Sequence, residues 1–217
     1  MGYRVVGGES RRFWKEISPF VEIMKWLKLS WKIGHIWGVE IHLHFSMLFS
    51  IVVTYYIFRP TDLRDGLLAL LSLIGFMLSI FLHELGHTLA AKFVKVEVKS
   101  IVLWLLGGFT LLSREPEKPS QRLFINFAGP FITILLGGLL FAVYYYVLYS
   151  TSLFWIYIYS RLFPVLALTN IVLFVFNMLP VYPLDGGNIV HALMELFFGK
   201  STANLITMII SLPVLLG

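Results

Sequence analysis

The chain has 217 residues, of which 58% are hydrophobic, 16% aromatic and only 13% charged, with a net charge of +5 and no cysteine. Ordinary soluble domains carry about 25% charged residues, so a chain this apolar cannot cover itself in water, and the missing cysteines exclude disulfides, thiolate metal ligands and a cysteine nucleophile. The positive charge does not form a nucleic-acid surface: the basic residues fall between apolar runs, as the orientation signals of a polytopic membrane protein do.

The first thirty residues carry Arg4, Arg11, Arg12, Lys15, Lys25 and Lys28 and show no apolar core of a cleavable secretory signal. Phe20, Ile23, Met24, Leu27 and Trp31 recur at helical spacing against Glu22, Lys25, Lys28 and Lys32. This predicts an amphipathic helix on the cytoplasmic interface. Residues 1–32 are therefore read as an N-terminal arm and 33–217 as an integral membrane domain.

Residues 37–45, WGVEIHLHF, alternate strictly, which is a strand pattern. Glu40, His42 and His44 share one face of it, and are read as the polar face of a surface hairpin rather than a metal site. An apolar run over 43–58 follows, then the turn FRPTDLRDG. The second span runs from Leu67 to Val94; it stays apolar through Leu82, then passes into HELGH and on to Val94 with Gly86 as the only helix breaker of that last stretch. IVLWLLGGFTLLS (101–113) is too short to span as a helix and rich in β-formers, so strands or a re-entrant hairpin are predicted.

Beyond the polar loop 114–122, a third span covers 123–148 and holds AGP at 128–130. A fourth runs over 155–179 with a kink expected at Pro164, and ends in NMLPVYPLDGGN. A helix begins near Ile189. The last apolar run, Ile206–Leu216, is too short to cross about 30 Å of hydrocarbon alone. The predicted fold is an all-α polytopic membrane protein with about five to six membrane helices and a small β element near 37–45 and 101–112. Lysine and arginine crowd the arm and the segment 92–122, while Arg59 and Arg64 stand alone on the opposite side, which predicts a cytoplasmic N-terminus.

HELGH at 83–87 puts two imidazoles and a carboxylate inside the second span, where ionisable groups are expensive. His83 and His87 are four apart, project from one helix face and can reach a single metal. Glu84 adjoins them and can act as general base on the attacking water. From Leu67, sixteen helical residues place His83 about 24 Å along a roughly 30 Å core, in its cytoplasmic half. A catalytic zinc needs a third protein ligand. Asp185 is the leading candidate, because Pro180, Pro183, Gly186 and Gly187 break the helix and turn the chain back toward the membrane. His191 and Glu195, four apart on the next helix, are its rivals. Gly107, Gly108 and Phe109 are read as a strand edge with which an extended substrate can pair, the alternative being that this hairpin only plugs the space beside the second span.

HELGH in a membrane span, followed about a hundred residues later by NMLPVYPLDGG (177–187), resembles the site-2 protease family of intramembrane metalloproteases. GGF (107–109), AGP (128–130) and IWGVEIHLHFS before the first span also fall where that family has related elements. The resemblance implies one zinc ion held by His83, His87 and Asp185, with Glu84 as general base. It further implies that Asn177 lies near the site, positioning substrate or stabilising the oxyanion. The implied activity is hydrolysis of peptide bonds within or near the transmembrane helix of membrane-protein substrates, in the cell membrane. One departure is Asn188, where the family more often has a basic residue. Two other readings stand beside this one: a prenyl-protein-processing type of zinc peptidase, with a downstream glutamate as third ligand, and a metal-binding scaffold or transporter. Glu84 argues against the scaffold, since it is not needed to hold zinc.

Overall fold

The computed structural model describes residues 29–150 and 153–216. A four-stranded sheet is built from β1 (Ser30–Ile36), β2 (Val39–His44), β3 (Val98–Trp104) and β4 (Gly107–Leu112), in that spatial order. β1 and β2 form an antiparallel hairpin, β2 and β3 run parallel, and β3 and β4 form a second antiparallel hairpin. Parallel pairing demands a long crossover. It is made by helices α1 (Met47–Phe58) and α2 (Leu63–Phe93). Then follow α3 (Pro119–Ser150), α4 (Leu153–Asn177), α5 (Asp185–Phe198) and α6 (Lys200–Leu216).

α2 starts where the Asp62 side chain accepts from the Asp65 backbone N–H at 2.8 Å, a helix N-cap that satisfies an otherwise orphaned donor. Its 31 residues extend for about 46 Å, enough to cross a bilayer from headgroup to headgroup. Three described helices are long and apolar enough to cross a membrane: Leu63–Phe93, Pro119–Val147 and Tyr159–Asn177. That is fewer than the five to six expected. The apolar run over 43–58 divides, its first residues joining β2 and leaving α1 with 12 residues, about 18 Å of helix. α5 has 14 residues and α6 has 17, and α6 buries Thr207 and Ser211 on one side.

The predicted strands near 37–45 and 101–112 are present as β2 and as the β3–β4 hairpin. β1 was not anticipated. The amphipathic helix expected over 20–32 falls mostly outside the described residues, and its last members, Trp31 and Lys32, lie in β1 opposite Leu43 and His42. Ladder bonds to β2 satisfy their backbone there, which a helix ending at Lys32 would not allow. Glu40 pairs with Lys32 and with His42 at 3.2 Å, whereas His44 is buried against Ser46 Oγ at 2.8 Å. The three side chains therefore do not converge, in keeping with a polar hairpin face.

The core lies between the sheet and α2. Val39, Ile101 and Leu103 of the sheet meet Ile80, Ala90 and Ala91 of α2, together with Ile125 of α3 and Leu173 of α4. Large apolar side chains point outward from α1, α3 and α4, including Tyr56, Ile57, Leu139 and Leu168. Such surfaces are unfavourable in water and suited to lipid.

Candidate active site

Three elements meet around the middle of the molecule: the C-terminal half of α2, the start of α5 and the edge strand β4. His83, Glu84 and His87 are 3%, 2% and 6% exposed. The two imidazole Nε2 atoms stand 3.0 Å apart. Asp185, the first residue of α5, places Oδ2 3.0 Å from His83 Nε2 and 3.2 Å from His87 Nε2. Glu84 Oε1 lies 4.0 Å from His83 Nε2, beside the triangle rather than within it.

This triangle of one oxygen and two nitrogens fits a small divalent cation. Tetrahedral ligands at about 2.0–2.1 Å from a zinc-like ion lie roughly 3.3 Å from one another, close to the separations found here. The tautomer of His87 is fixed as well: Nδ1 donates to the Ile125 carbonyl of α3 at 2.7 Å, leaving the Nε2 lone pair directed at the centre. His83 Nδ1 is buried without a hydrogen-bond partner among the described residues, so its orientation rests on packing.

Two features here were not foreseen. Thr110 Oγ1 of β4 donates to Glu84 Oε2 at 2.7 Å, and lies 3.2 Å from the Glu84 backbone carbonyl. Gly129, the middle residue of AGP, brings the α3 backbone against the histidines. A Cβ there would stand 2.7 Å from His83 Nε2 and closer still to His87 Nε2, well inside van der Waals contact. The sequence carries only a partial signal for Thr110, its strand spacing from Gly108, and the structure supplies the rest. Thr110 follows Gly108 at strand period two, and a Cβ on Gly108 would press on Glu84 at 2.6 Å from Cδ.

The rivals for the third ligand are engaged elsewhere. His191 Nε2 meets Asn204 Oδ1 at 2.8 Å, and Glu195 pairs with Arg122. Asn188 Nδ2 lies 3.3 Å and 3.2 Å from the carbonyls of Pro183 and Leu184, so it holds the turn before Asp185 from inside. Asn177 lines the same cavity as the cluster, although its Nδ2 also donates to Leu173 O of its own helix at 2.9 Å.

That cavity has a volume of about 430 Å³ and reaches from His83, Glu84 and His87 to Gly107, Gly108 and Phe109. The Phe109 ring stacks on Trp104, with centroids 5.5 Å apart and planes 12° from parallel. Leu111, Ile125 and Phe176 complete a largely apolar wall. β4 pairs with β3 alone, so its other edge carries no strand among the described residues. The arrangement sets a carboxylate and a metal-type triad beside a pocket with an open strand edge, inside a protein with membrane-length helices.

These are the features of a membrane-embedded metallopeptidase of the HExxH kind. The profile of Peptidase family M50 matches residues 71–154 and 150–216, and the chain belongs to that family. It is similar to a zinc metalloprotease of Methanocaldococcus jannaschii, with 31% identity over 180 residues, covering 81% of this chain and 49% of that protein. It is also similar to stage IV sporulation protein FB of Bacillus subtilis, at 29% identity over 125 residues, covering 57% of this chain and 40% of that one. The chain thus spans about half the length, or less, of these curated relatives. Among solved structures it resembles the site-2 protease from Methanocaldococcus jannaschii, with a TM-score of 0.62 and 27% identity, covering 83% of this chain and 79% of that chain.

Proposed function

We propose that this chain is an intramembrane zinc metalloprotease, which hydrolyses peptide bonds within or near the transmembrane helix of membrane-protein substrates. The observation that carries the proposal is the approach of Asp185 Oδ2 to 3.0 Å and 3.2 Å from the two imidazoles of a helix long enough to cross a membrane. Family membership and the likeness to a solved site-2 protease support it. His83, His87 and Asp185 hold one zinc ion per chain. Zinc, when bound, supplies Lewis acidity, which polarises the scissile carbonyl and brings the pKa of water toward neutrality.

Glu84 takes the proton from the attacking water and passes it to the leaving amine. Thr110 fixes the Glu84 carboxylate through Oε2, so Oε1 faces the reacting centre. The backbone of Gly107, Gly108 and Phe109 receives the substrate as an added strand, which returns the hydrogen bonds it loses on unwinding. Asn177, which lines the same cavity, contributes its remaining amide hydrogen to the substrate. In this reading residues 33–217 form the catalytic membrane domain and 1–32 an arm before it. The N-terminus and the site lie toward the cytoplasm.

The decisive experiment compares Glu84→Gln with wild type on the same purified preparation. The variant should keep its zinc and lose cleavage of a transmembrane substrate, whereas Asp185→Ala should lose zinc. Full cleavage by Glu84→Gln would refute the mechanism.

A further inference from the structure

A second cavity, of about 400 Å³, lies away from the active site, between the β1–β2 turn and the end of α2. It is lined by Trp37, Gly38, Lys92, Lys95 and Glu97, among others. Its depth follows from α2. Between Asp65 and Lys92, Glu84 is the single Asp, Glu, Lys or Arg of that helix. Twenty-six intervening residues extend for about 39 Å, more than the roughly 30 Å hydrocarbon core, so Lys92 stands at headgroup level.

The local backbone is unusual at two of these residues. Trp37 and Gly38 make the two-residue β1–β2 turn with φ of 51° and 81°, a geometry that favours Asn-Gly. Lys95 has φ 61° just after the C-cap of α2, where Gly or Asn is the usual occupant. Both positions sacrifice local stability to carry a long amphipathic side chain, and both side chains line one cavity. Strained positions of this kind point toward function.

The chemistry of the lining is equally specific. Lys92 Nζ donates one hydrogen to the Trp37 carbonyl at 2.8 Å and lies 5.6 Å from the Trp37 ring centroid. A lysine ammonium has three donors, so two stay available. Trp37 is 59% exposed and Phe93, which follows Lys92 in sequence, is 80% exposed, and exposed aromatic residues of this kind suit the membrane interface. Lys92 and Lys95 supply positive charge, while Glu97, exposed on the same wall, supplies one negative charge.

We propose that this cavity binds the headgroup of a phospholipid of the ethanolamine type. The phosphodiester sits between Lys92 and Lys95, the headgroup ammonium meets Glu97, and the acyl chains run down the outer surface of α2 past Phe93. The two lysines alone would favour any anionic headgroup; Glu97 turns the preference toward one that carries its own cation.

The test uses the full chain, purified and delipidated in detergent, titrated with short-chain phosphatidylethanolamine and phosphatidylglycerol, with native mass spectrometry as readout. Wild type should retain phosphatidylethanolamine in preference, and Lys92→Gln/Lys95→Gln should retain it at least fivefold less. Glu97→Gln should move the preference to phosphatidylglycerol. Trp37→Asn guards against simple misfolding, because Asn-Gly suits the turn: it should keep or raise the melting temperature and still weaken lipid retention. Soluble phosphoethanolamine, which lacks acyl chains, should not compete at equal concentration. Equal retention by wild type and the double lysine variant, or a wild-type preference for phosphatidylglycerol, overturns the assignment whatever the peptidase activity proves to be.

Discussion

Thr110 of strand β4 donates its hydroxyl to Glu84 Oε2 of helix α2 at 2.7 Å. This single bond ties the sheet edge to the carboxylate beside His83, His87 and Asp185, and under the proposed function it holds the general base in place. Glu84 is 2% exposed, and a buried carboxylate with no directed partner would take up more than one rotamer. Thr110→Val keeps the side-chain shape and removes the donor. Cleavage should fall about tenfold or more, equivalent to roughly 1.4 kcal/mol, with zinc content unchanged. Thr110→Ser, which restores a hydroxyl, should recover most of the rate. Equal rates for Val and Ser would show that the bond does not position Glu84.

Gly129 gives a second test, in which the metal site itself is at stake. An added Cβ would meet His83 Nε2 at 2.7 Å, and the neighbouring contact with His87 Nε2 is closer still. Gly129→Ala should therefore weaken zinc binding about 10–100-fold, the range typical of disturbed metal surroundings. Gly138 lies on the same helix, where an added Cβ would meet nothing within 4 Å, and serves as control. Gly138→Ala should leave zinc content unchanged and stabilise α3 by about 0.5–1 kcal/mol. Zinc content equal in both variants would remove Gly129 from the account of the site.

The proposed orientation rests on charge alone. Reporter fusions after residue 32 and near Lys118 should read cytoplasm, and fusions near residues 62 and 152 the opposite side. A cytoplasmic signal near residue 152 would place the active site toward the other compartment.

The His-Glu-His cluster is legible in the sequence because an i, i+4 spacing fixes the relation of two side chains on any helix. Asp185 is only half legible. Its helix breakers announce a turn, but whether that turn meets α2 depends on how α3 and α5 pack, which no local pattern encodes. The same limit hides Thr110, whose partner lies 26 residues away, across a strand-to-helix contact. β1 escapes for a different reason. SWKIGHI lacks clean alternation, a register shift falls between Lys32 and Gly34, and the turn that closes the hairpin has Trp37 where the usual signal is Asn. The span count fails because composition does not show where an apolar run changes from strand to helix: residues 43–58 read as one membrane segment, yet the helix within them begins at Met47.

The last prediction concerns the form in which substrate is cut. A helix keeps its amides within its own hydrogen bonds, so the scissile segment must unwind before Glu84 and the metal triad can act on it. β4 lies at the edge of the sheet, with β3 as its one strand neighbour among the described residues, and its Gly107–Phe109 segment lines the cavity. An extended segment added to that edge would pass beside Glu84, because Gly108 leaves no Cβ between strand and carboxylate. Gly, Asn or Pro placed in the inner half of a substrate span should therefore speed cleavage several-fold, and Leu at the same positions should slow it. Gly108→Ala, which sets a methyl 2.6 Å from Glu84 Cδ, should lower cleavage with zinc still bound. Phe109→Pro, which removes a backbone donor, should do the same. Cleavage rates indifferent to substrate helix stability and to both β4 changes would exclude strand pairing as the mode of binding.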